Sequence, residues 1–274
     1  MIKPLHPPNF MPGVHDPSVA AWINAVAIAG GTVSNQRRNL VDDLIVGLKS
    51  DGVWPKLDRL WIYAAENQGA ALTDMALLAK ATAIGGPPFT VDRGFAGQLT
   101  AYPTAYIDSG FREQAGVAFK LNDCHIGAWA VTTCAGGYMV GQIGHAADTT
   151  SSILDNGTLI HIDCTDSTGN GPNFTYTAGQ NLGHFVGCRT SSTALQLYHN
   201  GASVGTASST SGSITNVSWT WSVTCIDDHS AGHVSENGST GILAAVSAGG
   251  SLTAGDATNF YNRLRTYMTA VGVP

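Results

Sequence analysis

Glutamate is almost missing from this sequence. Glu66, Glu113 and Glu236 are the only three among 274 residues, lysine is scarce too, and all charged residues together make up 12% of the chain. Long solvated helices draw on both residues, so the shortage argues against a helical bundle and for sheets and turns. The net charge is −6. A surface that tracks phosphates needs the opposite sign, so no nucleic-acid partner is expected. No apolar run is long enough to span a membrane. The best, Val19 to Ala29, is interrupted by Asn24. The opening MIKPLHPPNF carries three prolines and no apolar core, so it does not read as a secretory signal. The five cysteines are odd in number and no two stand in C-x-x-C spacing. That argues against a zinc site and fits synthesis in a reducing cytoplasm with free thiols. Neither Gly-x-Ser-x-Gly nor a phosphate loop ending in Gly-Lys-Ser/Thr occurs, so no serine triad and no nucleotide cofactor are expected.

What is present divides by period. Val19, Trp22, Ile23 and Val26 repeat at helical spacing, with Asp16 as cap and Pro17 in the first turn; this predicts a helix over 17–28. Ser34 caps a second helix over 35–50, with Leu40, Val41, Leu44, Ile45 and Leu48 on one face and Gly52 at its end. From Arg59 onward the period becomes two. Alternating runs recur at 59–64, 105–108, 116–121, 126–133, 138–143, 158–164, 185–189, 194–199 and 217–225, separated by Gly, Asn, Asp and Ser. Asn200-Gly201 suits a tight hairpin turn with positive φ at both positions. Thr253 then caps a helix over 254–270, with Ala257, Phe260, Leu264 and Met268 facing inward. The expectation is a mainly β chain: one two-sheet antiparallel sandwich over 17–274, with N-terminal helices and a C-terminal helix. Residues 1–16 form an expected extended arm. Its apolar residues Leu5, Phe10, Met11 and Val14 are candidate anchors for docking on another subunit, since prolines restrict its unfolded states.

Several residues are candidates for chemistry. A glycosidase needs two carboxylates at a fixed separation, but no two glutamates lie within forty residues of each other. Asp163 with Asp166, or Asp227 with Asp228, are the remaining pairs, and turn duty is the plainer reading of each. His161-x-Asp163 shares one strand face and suits a metal or an oriented base. The competing assignment puts Leu159, His161 and Asp163 on an outer face with Ile160, Ile162 and Cys164 inward, and it is preferred. Asp227-Asp228-His229 is a loop cluster with too few oxygens for calcium. Trp219 and Trp221 suit a sugar platform, but the polar partner face of Ser218, Thr220, Ser222 and Thr224 favours a core role for the tryptophans. Tyr102, Tyr106, Tyr138 and Tyr198 decide nothing. Cys164, Cys188 and Cys225 read as buried, whereas Cys124 and Cys134, at the ends of one strand, are the candidates for exposure and for a disulfide. No catalytic residue, metal or cofactor is expected, and the chain is not expected to be an enzyme.

Three stretches carry a resemblance: Leu40–Asn67, a helix ending at a Ser-Asp-Gly-Val-Trp corner before a Leu-Trp-Ile strand; the hairpin Ala194–Thr206; and the closing Phe260–Val273. Together they resemble tailed-bacteriophage structural proteins with a concanavalin A-like lectin/glucanase, laminin-G-like jelly roll. The resemblance implies a virion structural protein, made in the host cytoplasm: a decoration, collar or tail-fibre-associated module that docks on other virion proteins and can expose a lectin-like surface. A homo-oligomer is expected. The alternative is a carbohydrate-binding module for host surface glycans, and behind it a polysaccharide depolymerase.

Overall fold

The structure is a computed structural model that describes residues 15–134, 136–144, 149–167, 171–177, 180–215, 219–228 and 233–274. Three of its helices fall where the apolar stripes place them: α1 (Pro17–Ile28), α2 (Asn35–Ser50) and α4 (Ala254–Ala270). Each is capped as its sequence implies. Asp16 accepts from the Ser18 amide and Ser34 from the Arg37 amide, and Thr253 forms a reciprocal capping box with Asp256. A short helix, α3 (Gln68–Leu72), follows the first strand behind its own Asn67 cap. The candidate anchors Leu5, Phe10, Met11 and Val14 lie outside the described residues.

Seventeen strands are defined among the described residues. They are β1 (Leu57–Ile62), β2 (Thr82–Ile84), β3 (Phe89–Thr90), β4 (Gly94–Ala96), β5 (Tyr106–Asp108), β6 (Cys124–Ala130), β7 (Gly137–Ile143), β8 (Thr150–Asp155) and β9 (Leu159–Asp166). β10 (Asn173–Thr175), β11 (Gly183–Arg189), β12 (Ala194–His199), β13 (Ala202–Ser208), β14 (Ser222–Val223), β15 (Ile226–Asp228), β16 (His233–Glu236) and β17 (Ile242–Gly249) follow. The first sheet runs β13-β12-β11-β6-β17-β4-β3, with β1 also paired to β17. The second runs β10-β9-β8-β7-β14-β5-β2, with β15 and β16 attached at β7. The sandwich is antiparallel except for β15, which lies parallel to β7. Asn200 and Gly201 take positive φ, +50° and +78°, at the hairpin turn between β12 and β13.

A third layer covers the first sheet. α4 lies on it through Phe260, Tyr261 and Leu264, with Tyr261 stacked on Trp129 at 5.7 Å and Arg265 over the same indole. α2 packs on α4, and α1 packs on α2. The central strands of the first sheet are therefore buried on both faces, β1 and β6 along their whole length, whereas the edge strand β13 is half-buried to exposed throughout.

Of the expected strands, 116–121 is absent and 217–225 is cut short. Residues 116–121 alternate in hydropathy, but the Asp58 carboxylate accepts the amides of Val117, Ala118 and Phe119 at 2.7–3.0 Å, which takes those donors from any ladder. The run 217–225 breaks at Thr224, whose φ is +70°. Only β14 survives of it; Val217 and Ser218 lie outside the described residues. Trp221 is fully buried, in edge-to-face contact with Phe111 and Phe119, but Trp219 is only half-buried. Ser222 and Thr224, expected to face water, are buried.

Candidate functional site

With the central strands of the first sheet covered on both sides, the outer face of the second sheet is the candidate surface. Cross-strand partners share a face, so register assigns it. Tyr138 pairs with Leu154, Leu154 with His161 and His161 with Asn173, making one outward row. The next row holds Gly141, Ser152 and Asp163. The third pairs Leu159 with Thr175. Ile160, Ile162 and Cys164 point inward and are fully buried, so the outer-face assignment of Leu159, His161 and Asp163 holds.

His161 is held at both ends. Its Nε2 lies 3.0 Å from Asp163 Oδ1 and its Nδ1 2.8 Å from Asn173 Oδ1. Asp163 is anchored in turn by the Ser152 hydroxyl (3.3 Å) and the Gly171 amide (3.1 Å). Burial opposes a charge on His161, but the hydrogen bond to Asp163 and its charge outweigh burial, and Asn173 adds to them; the imidazole is lifted above its ordinary value. The face thus presents the half-buried His161, fixed by the buried Asp163, an exposed amide at Asn173, and apolar surface from Tyr138, Leu154 and Leu159, all half-buried. No group of three or more His, Cys, Asp or Glu able to hold a metal occurs among the described residues.

The other candidates separate. Asp166 is spent in a buried pair with Arg189 (3.1 Å), far from any carboxylate role alongside Asp163. Asp227 and Asp228, neighbours on β15, are both buried; His229 lies outside the described residues. Cys124 and Cys134 are not exposed: both are fully buried, as are Cys164, Cys188 and Cys225. The expectation failed because a strand end is not a sheet edge. Cys124 lies between β11 and the second sheet, and the Cys134 thiol packs on the backbone of Gly241, where even a methyl group would collide.

Two features escaped the sequence. Glu113 is buried beside the Trp221 indole (3.2 Å) and the Thr149 hydroxyl (2.5 Å); burial, partly offset by these donors, pushes its carboxyl up. Only a lone glutamate in a loop marks it in the sequence. A polar cleft of about 240 Å³ opens where the N-terminus of α2 meets the end of α4. Its groups serve each other: Glu66 accepts the Ser34 amide at 2.6 Å, and Arg37 pairs with Asp92 and Tyr267.

No protein-family model and no curated sequence matches this chain. Solved structures do. The botulinum neurotoxin type C structure from a study of cell entry dependent on two ganglioside molecules aligns with a TM-score of 0.57 at 12% identity, over 78% of this chain and 53% of that one. The binding domain of botulinum neurotoxin DC in complex with rat synaptotagmin II gives 0.55 at 13% identity, over 77% and 52%. The same domain in complex with SialylT gives 0.51 at 13%, over 76% and 51%. This chain spans about half the length of each. At such identities the likeness establishes the shared fold, a mainly β sandwich.

Proposed function

We propose that this chain is a recognition module that binds a glycan on the outer face of its second sheet and acts by binding, not by bond cleavage. One observation carries the reading: the row Tyr138, Leu154, His161 and Asn173, half-buried to exposed on the outer face of the second sheet, with Ser152 and Asp163 buried beside His161. A sugar ring offers hydroxyls to planar polar groups and a C–H face to apolar and aromatic surface, and this face supplies both in pre-set positions. The His161–Asp163 pair is fixed before any ligand arrives, which lowers the ordering cost of binding. Ganglioside-dependent entry of botulinum neurotoxin type C, on the same fold, supports a glycan as the ligand class. The test is a glycan array, followed by calorimetry on the best ligand. His161→Ala and Asn173→Ala should each weaken binding about tenfold or more with the melting temperature held. A best ligand that binds both variants like the parent protein excludes this face.

A second reading concerns where such a module works. The stretches that resemble tailed-phage proteins, Leu40–Asn67, Ala194–Thr206 and Phe260–Val273, come together in space. Gly47 of α2 lies against Arg263 of α4, and Gly201 of the hairpin accepts from the Thr258 hydroxyl of α4. This common body supports a virion component that docks through its helical side and presents its second sheet outward. Deleting residues 1–16 and measuring incorporation into particles, alongside the melting temperature, tests the arm's part in that docking. Normal incorporation of a stable truncated chain removes the arm as anchor.

A further inference from the structure

Three thiols sit close together along β6, β9 and β11, but only two face each other. The register of the first sheet puts Cys124 opposite Arg189, whose side chain runs inward to the carbonyl of Cys164 at 2.6 Å. Cys124 therefore faces the second sheet. Cys164 belongs to the inward set of β9, and its sulfur lies 2.9 Å from that of Cys124. Cys188 pairs with His125 and Gly127 with Ser247, residues on the opposite side of the first sheet, under α4. The two sheets also close in here: a methyl group on Gly187 would fall 2.0 Å from the side chain of Ile162. Cys134 and Cys225 are buried elsewhere, in contact with Gly241 and beside Ser222 respectively.

We propose that Cys124 and Cys164 are a redox pair that closes into a disulfide linking the two sheets, formed by exchange with a small-molecule disulfide as the chain folds. In the reaction one thiolate attacks the small disulfide, forming a mixed disulfide and releasing one small thiol. The second protein thiolate then displaces the other. Two protein thiols lose two electrons and two protons, and one small disulfide becomes two thiols. Timing follows from burial. Exchange needs a thiolate, and in the folded chain burial, with Cys124 alongside, holds the Cys164 thiol well above its ordinary value. Both sulfurs are also sealed from solvent. Reaction therefore belongs to the open chain, and the folded reduced protein resists it.

The experiment is to unfold reduced protein, refold it with and without oxidised glutathione, and map the non-reduced digest by mass spectrometry. The expected result is one crosslink, Cys124 to Cys164, two hydrogens lighter than the reduced peptides, with three of the five thiols still open to alkylation in denaturant. The oxidised form should melt about 5–10 °C higher, because the bridge closes a 40-residue separation in the unfolded chain. Cys225→Ser should keep the crosslink and Cys124→Ser should lose it. Folded reduced protein in the same buffer should oxidise at least tenfold more slowly than refolding protein. Five free thiols after oxidative refolding, a crosslink to Cys188, or an oxidised form that melts no higher would overturn the proposal. The mapping needs no variant, so it decides even if Cys124→Ser does not fold.

Discussion

Arg189 crosses from the first sheet to the second and pairs with Asp166 at 3.1 Å, with neither side chain exposed to water. The guanidinium also donates to the carbonyls of Cys164, Ser192 and Ser209. The pair thus fixes the end of β9 and the loops beside β11 at once. Removing one partner strands a buried charge. Asp166→Ala should cost about 3–5 kcal/mol in urea unfolding, and a double change of Asp166→Leu with Arg189→Met should cost less than the single one. A single variant that unfolds like the parent protein would show that water reaches the pair.

Leu264 is fully buried where α4 meets the first sheet. Leu264→Ala should destabilise by about 2–5 kcal/mol, depending on how far the helix settles into the gap. Thr266→Ala, on the exposed side of the same helix, should stay within about 0.5 kcal/mol. Equal losses at the two positions would mean that α4 does not rest on the sheet as described.

Gly187→Ala tests the spacing of the sheets. The added methyl would stand 2.0 Å from Ile162 Cγ2, an overpacking worth about 1–3 kcal/mol. Combined with Ile162→Ala, the two changes should show a favourable coupling in a double-mutant cycle, because the second makes room for the first. Strict additivity would contradict the close approach.

Two histidines under α4 set an acid limit. Burial pulls His125 down to about 4 and His184 down to about 3, the latter helped by the nearness of His125. The ordinary value is about 6.5, so the unfolded chain takes up these protons first. Their contribution to stability is whole above about pH 6.5 and is lost as pH falls towards 4 and then 3, at about 1.4 kcal/mol per pH unit for each. His161, Asp74 and Glu113 are shifted upward and act in the opposite sense, each losing its contribution as pH rises through its raised folded value. The clean measure is a difference. Urea midpoints of His184→Leu should fall less than those of the parent between pH 7 and pH 4.5. Parallel decline would show that His184 protonates freely in the folded chain.

The sequence discloses this fold unevenly, for physical reasons. The three long helices were legible because stripe and cap agree in each: Asp16 before Val19, Ser34 before Val41, Thr253 before Ala257. The strands of the second sheet were legible where polar and apolar residues alternate, as at Leu159, His161 and Asp163 against Ile160, Ile162 and Cys164. A strand buried on both faces need not alternate in polarity, so β17 carried only an apolar run and was missed, whereas β1 was found from its run at 59–64. Local spacing also cannot see a distant partner. Nothing near Val117 announces that Asp58 takes its amide, and nothing near Asp163 announces Ser152, Asn173 or Gly171. The candidate site was thus half visible, as a histidine and an aspartate on one face; the cross-strand rows that frame it are a property of register. The thiols misled for the same reason, since Cys124 looks terminal along its strand but is central across the sandwich.

The covering of the central strands of the first sheet on both sides has a consequence for how sequences of this design can drift. A strand with two buried faces, such as β1 or β6, has little freedom to vary, whereas Tyr138, Leu154, Leu159, His161, Asn173 and Thr175 on the outward rows are half-buried or exposed. Random substitution followed by selection for folding alone should leave the central strands of the first sheet nearly invariant and diversify those positions. Selection for a bound ligand should then freeze a small subset of them, and the frozen positions would trace the footprint of whatever this face holds.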